Sequence, residues 1–192
     1  SQAVLDVTSH ALPVELNESI SSFERLEIAT YGSLCQKHRL NPKEAGSYLG
    51  SQLGAILRFK GNHVIYYNDA KNNPYLNRFT IAHELGHFFM GHADIDGILT
   101  RKCFGGMSAV ADETVHDAIE KEANAFARNL LAPVLLVKKV INEYGTFDEN
   151  VGLITKYFAI SKEAARFRLE SVNIDYRMAQ RNRAEPWQGF TY

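Results

Sequence analysis

The residues best suited to chemistry lie in the segment NRFTIAHELGHFFMGH, residues 77–92. On an α-helix, positions four apart differ by about 40° in direction and about 6 Å in height, so His83 and His87 would project side by side. Two imidazoles placed in this way can share one metal ion at bond lengths of about 2.0–2.1 Å. Glu84, about 100° round the helix from His83, would miss the ion but could reach a water molecule beside it. The spacing predicts a catalytic metal site with Glu84 as the general base.

A simpler interpretation is an amphipathic helix with two surface histidines. The pattern HExxH arises by chance in on the order of one chain in fifty of this length, so the context must decide. Here the flanking residues are apolar on most faces of the helix: Phe79, Ile81, Ala82, Leu85, Phe88 and Phe89. Buried histidines and a buried glutamate are costly unless they are paired or bind a metal. The context favours the metal site.

A catalytic zinc site usually has three protein ligands and one open position, so a third ligand is needed. His92 follows His87 by five residues and would point about 140° away on an ideal helix. With Gly91 it also falls one place off the longer zinc-protease pattern HExxHxxGxxH. We therefore expect His92 not to be a ligand.

The segment AIEKEANAFARNLLAP, residues 118–133, offers a better third ligand. Glu120 and Asn124 share one stripe at helical spacing, next to a core stripe, and Asn124 could hydrogen-bond a ligand histidine. Glu122 lies about 160° from Glu120, so the two carboxylates cannot both face the metal. Periodicity alone leaves two interpretations of Glu120 equally open, a metal ligand and part of a solvated helix face.

The elements that would carry these residues follow from local patterns. Two β-rich runs, 54–60 and 63–67, flank Gly61-Asn62 and predict a hairpin, and a short strand is expected around residues 26–31. Helical patterns follow at 43–49, 73–91, 114–131 and 134–144, then at 149–158 and 162–172. Residues 92–113 have no clear period and predict a long loop. Strands followed by helices indicate an α+β fold with a small antiparallel sheet.

Composition narrows the class of protein. The chain has 192 residues, 45% of them hydrophobic, which is enough for one well-buried core. Its formal net charge of -1 argues against a dedicated nucleic-acid or membrane binder. Two cysteines, Cys35 and Cys103, without CxxC spacing suggest neither a disulfide framework nor a cysteine-based zinc site. With no apolar run of about 18 residues and no signal-peptide pattern at the start, we expect a cytoplasmic protein.

The pairing of RFTIAHELGHFFMGH with EKEANAFARNLLAP strongly resembles the ImmA/IrrE family of metallopeptidases. The likeness covers roughly residues 54–134, including the segment IYYND at 65–69. It implies a zincin-like, gluzincin-type domain over residues 1–134 that holds one Zn²⁺ ion, with Glu120 as the third ligand. Residues 135–192 would then form a C-terminal helical extension. Two imidazoles and one carboxylate suit zinc, although manganese and iron stay open.

Characterised members of that family cleave helix-turn-helix transcriptional repressors in mobile-element, stress-response or phage-defence systems. The resemblance thus implies a zinc endopeptidase whose partner is such a repressor. A non-catalytic regulator on the same scaffold is the main alternative, and the presence of Glu84 argues against it because pure binding needs no base. An aminopeptidase or a toxin-like hydrolase would keep the same metal site and differ in the cleft.

Several other residues are secondary candidates. Tyr66, Tyr67, His116 and Arg128 could each donate a hydrogen bond to the transition state, although each residue type is more often used in packing or at the surface. Cys103, in the basic segment RKCFGG, could hold the enzyme latent as a fourth zinc ligand.

The tail FAISKEAARFRLESV, residues 158–172, resembles the second half of a helix-turn-helix motif, with Ser161 as the helix cap. The near-zero net charge favours a helix pair packed on the protease over a DNA-binding element. We therefore expect no direct contact with nucleic acid.

Overall fold

The computed structural model describes residues 12–16, 20–92, 113–142 and 144–172. The chain divides into two compact units, Ser1–Leu131 and Ala132–Tyr192. The first unit contains all three strands, and the second is helical in its described part. In the described residues no helix is both long and apolar enough to span a bilayer. The predicted domain boundary after residue 134 stays a prediction.

The first unit is built on a three-stranded sheet of strands β1 (Leu26–Thr30), β2 (Gly54–Phe59) and β3 (Asn62–Tyr67). The strand order is β1-β3-β2. Strands β2 and β3 form the predicted antiparallel hairpin, whereas β1 pairs with β3 in parallel. The expected small sheet is therefore mixed rather than purely antiparallel, because the chain crosses over through two helices and β2 before it reaches β3.

The hairpin turn explains the glycine in this segment. Lys60 and Gly61 both have positive φ, 51° and 82°, and they join β2 directly to β3. A two-residue loop with positive φ at both positions matches the right-handed twist of the strands it connects. The turn lies one residue earlier than the predicted Gly61-Asn62 pair.

Two short helices, α1 (Tyr31–His38) and α2 (Pro42–Tyr48), connect β1 to β2. Helix α2 matches the sequence prediction within one residue at each end, but α1 was not predicted. A capping box begins α1, with Thr30 accepting from the Ser33 backbone and Ser33 accepting from the Thr30 backbone. The two helices pack their apolar faces on the sheet in one buried cluster: Tyr31, Leu34, Cys35, Ala45, Leu49 and Ala55.

Helix α3 (Pro74–Phe89) carries the HExxH segment. Its start follows local rules, since the Asn73 side chain accepts a hydrogen bond from the Leu76 backbone and Pro74 occupies the first turn. The helix contacts β2 and β3 as well as helix α4 (Glu113–Leu131). Being covered on several sides explains why its sequence is apolar on most faces. The predicted core stripe of α4 is buried: Ile119, Ala123, Phe126 and Leu130.

The second unit contains helices α5 (Val134–Val140), α6 (Phe147–Phe158) and α7 (162–172). Helix α5 ends four residues before the predicted limit. Beyond it, the buried Asn150 side chain bridges the loop by accepting from the Asn142 backbone N–H at 2.7 Å and donating to its carbonyl at 2.9 Å. Helix α7 starts as predicted, with the Ser161 hydroxyl accepting from the Ala164 backbone.

Candidate metal centre

The two histidines of α3 converge at one point. His83 and His87 stand one turn apart, and their Nε2 atoms lie 3.0 Å from each other. Their rings are tilted by 73°, with centroids 4.8 Å apart. His87 is buried, with 1% of its surface exposed, whereas His83 is half-buried. Side chains four residues apart on one helix thus meet in the manner that the sequence predicts.

Glu120 of α4 closes the third corner. Its Oε2 lies 3.4 Å from His83 Nε2, and its Oε1 lies 3.6 Å from His87 Nε2. One ligand atom from each of the three residues lies within 4.8 Å of the others. A tetrahedral zinc ion with bonds of about 2.0–2.1 Å would place its ligand atoms about 3.3 Å apart. The two Nε2 atoms are 3.0 Å apart, and each has one of the two Glu120 oxygens at 3.4 or 3.6 Å, so all three contacts are close to this value.

Asn124 supports the outer side of His83. Its Oδ1 lies 3.2 Å from His83 Nδ1. An amide oxygen only accepts hydrogen bonds, so the ring donates from Nδ1, and a neutral ring then has its lone pair on Nε2, which faces His87 and Glu120. Asn124 sits one helical turn after Glu120, which is why one face of α4 brings both side chains to His83.

Glu84 provides negative charge next to the group formed by His83, His87 and Glu120, which is termed the metal cluster. The residue is buried, with 7% of its surface exposed, and its side chain contributes to the wall of the cleft described below. Burial lowers the pKa of His83, but a hydrogen bond with Glu120 and the nearby Glu84 and Glu120 charges together raise it above the usual value. The site is therefore strongly attractive to a cation, whether a proton or a metal ion.

His92 lies on the far side of His87 from the cluster. Its Nδ1 is 3.2 Å from His87 Nδ1, and its Nε2 is 3.1 Å from Glu122 Oε2. His92 contacts the opposite nitrogen of the His87 ring from the one that faces His83. This pair could not be predicted from an ideal helix, on which His92 would point about 140° away from His87. Helix α3 ends at Phe89, and Gly91 has a positive φ of 74°. In the sequence, the glycine at position 91 is the one indication of this left-handed turn.

The cluster opens into a cleft of about 280 Å³. One wall is made by β2 and the segment before it, and the other by α3 and α4. The lining is largely apolar near the strand and polar at the cluster: Leu49, Ser51, Leu53, Gly54, Ala55, Ile56, Phe79, Thr80, His83, Glu84, His87, Glu120 and Asn124. Such a cleft can hold a peptide segment beside the histidines.

The secondary candidates lie elsewhere or outside the described residues. In the described part of the chain, Tyr66, Tyr67 and Arg128 do not belong to the cleft wall. Burial raises the pKa of Tyr66, with a smaller contribution from Glu27. The Tyr66 ring packs against the hydrophobic residues that α1 and α2 bury on the sheet. The side chain of His116 and the whole of Cys103 fall outside the described residues. The roles assigned to all five stay predictions.

A comparison with protein families shows to which family the chain belongs. No significant match was found among curated proteins. The family model Peptidase_M78, described as the IrrE N-terminal-like domain, matches residues 38–170, which is more than half of the chain. The matched region contains both histidines of α3 and the Glu120 segment, as the resemblance to the ImmA/IrrE family predicts. The chain therefore belongs to the Peptidase_M78 (IrrE N-terminal-like) family and is a metallopeptidase-like protein.

Proposed function

We propose that this protein is a zinc-dependent endopeptidase that cuts a partner helix-turn-helix repressor. The observation that carries the proposal is the convergence of His83, His87 and Glu120, whose ligand atoms lie within 4.8 Å of one another. Two imidazoles and one carboxylate with an open fourth position are the ligand set of a catalytic zinc site. Membership of a peptidase family supports a peptide bond as the target.

The mechanism assigns one task to each group in the cleft. A zinc ion held by the three ligands would polarise the scissile carbonyl and make the attacking water more acidic. Glu84 removes a proton from that water and later delivers it to the leaving amine. Asn124 holds the His83 ring so that Nε2 stays directed into the site. The apolar wall of the cleft limits the contact of the reacting groups with bulk water.

The substrate backbone has a natural place to bind. In the described residues β2 has a strand neighbour on one side only, and Gly54, Ala55 and Ile56 of this strand line the cleft. An extended peptide can add to such an edge through main-chain hydrogen bonds. The proposed substrate segment is therefore extended and lies along β2, with its scissile bond beside Glu84.

Co-expression with a candidate helix-turn-helix repressor from the same genome, taken first from genes beside this one, tests the proposal. The parent should cut the repressor, and Glu84→Gln should lose about 10²–10⁴-fold in cleavage rate while still taking up zinc. Glu170→Gln removes an exposed carboxylate from α7 and serves as the matched control. A repressor cut equally by parent and Glu84→Gln would refute the role of Glu84. Release of the repressor from DNA without cleavage, by both proteins, would support the non-catalytic alternative.

The type of peptidase can be separated in the same experiment. An endopeptidase cuts inside the repressor and is indifferent to acetylation of its N-terminus. An aminopeptidase needs the free α-amine and would spare the acetylated substrate. Internal fragments of defined mass from an acetylated repressor are the result we expect.

A further inference from the structure

The turn after α3 brings a third histidine back against the metal cluster. Met90 is the C-cap of the helix, and Gly91 takes a positive φ of 74°, which ends the helical path of the chain. His92 is consequently buried, with 5% of its surface exposed, although it follows the helix by only three residues. Its ring lies edge-on to that of His87, with centroids 5.3 Å apart and the planes 64° from parallel.

Three side chains form a continuous series that starts at the cluster. His87 Nδ1 lies 3.2 Å from His92 Nδ1, and His92 Nε2 lies 3.1 Å from Glu122 Oε2. We propose that His92 and Glu122 are positioning residues that fix the orientation and tautomer of His87 for metal binding. This inference rests on the metal site of the proposed function and assigns a role to two residues outside that site.

The direction of each hydrogen bond follows from the two ends of the series. A neutral imidazole that offers Nε2 to a metal carries its proton on Nδ1, so His87 donates from Nδ1. The Glu122 carboxylate only accepts, so His92 donates to it from Nε2. A neutral His92 then has a lone pair on Nδ1, which is the atom that faces His87. With protons on His87 Nδ1 and His92 Nε2, both hydrogen bonds have one donor and one acceptor. The lone pair on His87 Nε2 is then directed at Glu120 and His83.

The two histidine ligands are thus supported by different chemistry. His83 donates to a neutral amide, Asn124 Oδ1 at 3.2 Å, whereas His87 donates to an imidazole that is itself bonded to a carboxylate. A carboxylate at the end of a hydrogen-bonded series polarises each bond in it and makes the ligand ring a better electron donor. Because 57% of the Glu122 side chain is exposed, most of the effect should come from His92, which is buried.

A purely structural role for the pair makes a different prediction. If His92 only filled space and Glu122 only formed a surface ion pair, their removal would change stability and leave zinc affinity untouched. Zinc affinity therefore separates the two interpretations. The rings can also be examined directly, since nitrogen NMR spectra distinguish the two tautomers of a histidine.

The experiment measures zinc affinity by competition with a chelator, using the purified full chain. His92→Phe should weaken zinc binding by about 10–100-fold, which is the usual cost of losing an outer partner of a ligand histidine. His92→Asn should recover part of this loss, because the asparagine oxygen can accept the His87 Nδ1 proton. Glu122→Gln should weaken binding by about tenfold or less. Asp117→Asn removes an exposed carboxylate from the same helix and should bind zinc like the parent.

The outcomes separate this inference from the proposed function. Parent-like zinc affinity in both His92→Phe and Glu122→Gln would overturn the positioning role and leave the metal site intact. A parent protein that takes up no zinc would overturn the metal site and this inference with it. If His92→Phe does not fold, the histidine tautomers in the zinc-loaded parent, measured by nitrogen NMR, still test the inference. We expect protons on His87 Nδ1 and His92 Nε2, and the opposite tautomer of either ring would overturn the inference.

Discussion

Gly86 of α3 packs directly against the backbone of Ala123 in α4. A Cβ atom added to Gly86 would lie 2.9 Å from Ala123 Cα and 3.0 Å from its carbonyl oxygen. Gly86 precedes the proposed ligand His87, and Ala123 stands three residues after the proposed ligand Glu120. The contact therefore sets how closely the two helices approach at the level of the metal cluster. The absence of a side chain at Gly86 is what lets the two backbones come this near.

Gly86→Ala should destabilise the protein and weaken zinc binding together. The added methyl group meets backbone atoms, which cannot move aside as a flexible side chain would, so the helices must separate. Overpacking of this kind costs about 1–3 kcal/mol of unfolding free energy, against a gain of about 1 kcal/mol in helix propensity, so we expect a net loss of up to about 2 kcal/mol. Urea unfolding of the metal-free protein and chelator competition would measure the two effects.

Gly152→Ala is the matched control for this substitution. Gly152 also lies inside a helix, α6, but a Cβ atom there would meet nothing within 4 Å. It should raise the unfolding free energy by about 0.5–1 kcal/mol, because alanine has the higher helix propensity. A Gly86→Ala variant that gained stability as Gly152→Ala does would show that the close approach of α3 and α4 is not required.

Glu120→Gln should remove the metal while keeping the shape of the side chain. The amide oxygen is a weaker ligand than a carboxylate, and the site loses one negative charge. We expect zinc affinity to fall by more than about 100-fold, the upper range for losing an outer partner. Metal analysis after dialysis should find one zinc ion per parent chain and almost none in the variant. Equimolar zinc in Glu120→Gln would contradict the assignment of this ligand.

Zinc affinity should decline as the pH falls, and the decline should begin at a higher pH than for an ordinary histidine ligand. Burial lowers the pKa of His83, but Glu120 and Glu84 together raise it above the usual value, and the proton competes with zinc for the same ring. Affinity should thus be constant above the raised pKa and fall below it, at least about tenfold per pH unit, with an onset above pH about 6.5. Chelator competition from about pH 5.5 to about pH 8.5, on both sides of the ordinary histidine pKa, would measure the curve. An onset well below the ordinary histidine pKa would refute this prediction.

The local parts of the site were predictable from sequence, because the signals lie within one element. The spacing of His83 and His87 and the Asn73-Pro74 start of α3 need only helix geometry. The role of Glu120 as third ligand could be predicted only from the resemblance to a family, because periodicity does not show which helices face each other. The parallel pairing of β1 escaped prediction for the same reason, as its partner β3 lies more than 30 residues away.

Two local features also escaped prediction, and each has a physical cause. Helix α1 is short, and its capping box uses Ser33 where the common pattern has glutamate or glutamine. The contact of His92 with His87 depends on a left-handed glycine that breaks the helical periodicity on which the sequence analysis relied. Irregular backbone of this kind carries no periodic signal.

The cleft depends on a second close approach, between Gly54 of β2 and Thr80 of α3. A Cβ atom added to Gly54 would lie 2.2 Å from Thr80 Cγ2 and 2.9 Å from the backbone oxygen of Tyr66. Gly54→Ala should therefore push β2 away from α3, lower the unfolding free energy by about 1–3 kcal/mol and reduce peptidase activity. Both glycine and threonine line the cleft, so its width at the cluster would change.

Thr80→Ser removes the Cγ2 methyl group and keeps the hydroxyl, which allows a double-mutant cycle. The serine should cost little alone and should recover part of the loss in Gly54→Ala, with a coupling energy of about 0.5–3 kcal/mol. Recovery stays partial, because the Tyr66 oxygen belongs to the backbone and cannot be removed. Urea unfolding of the parent, the two single variants and the double variant gives the coupling directly. Strict additivity would mean that the Thr80 methyl group does not limit the approach of strand and helix.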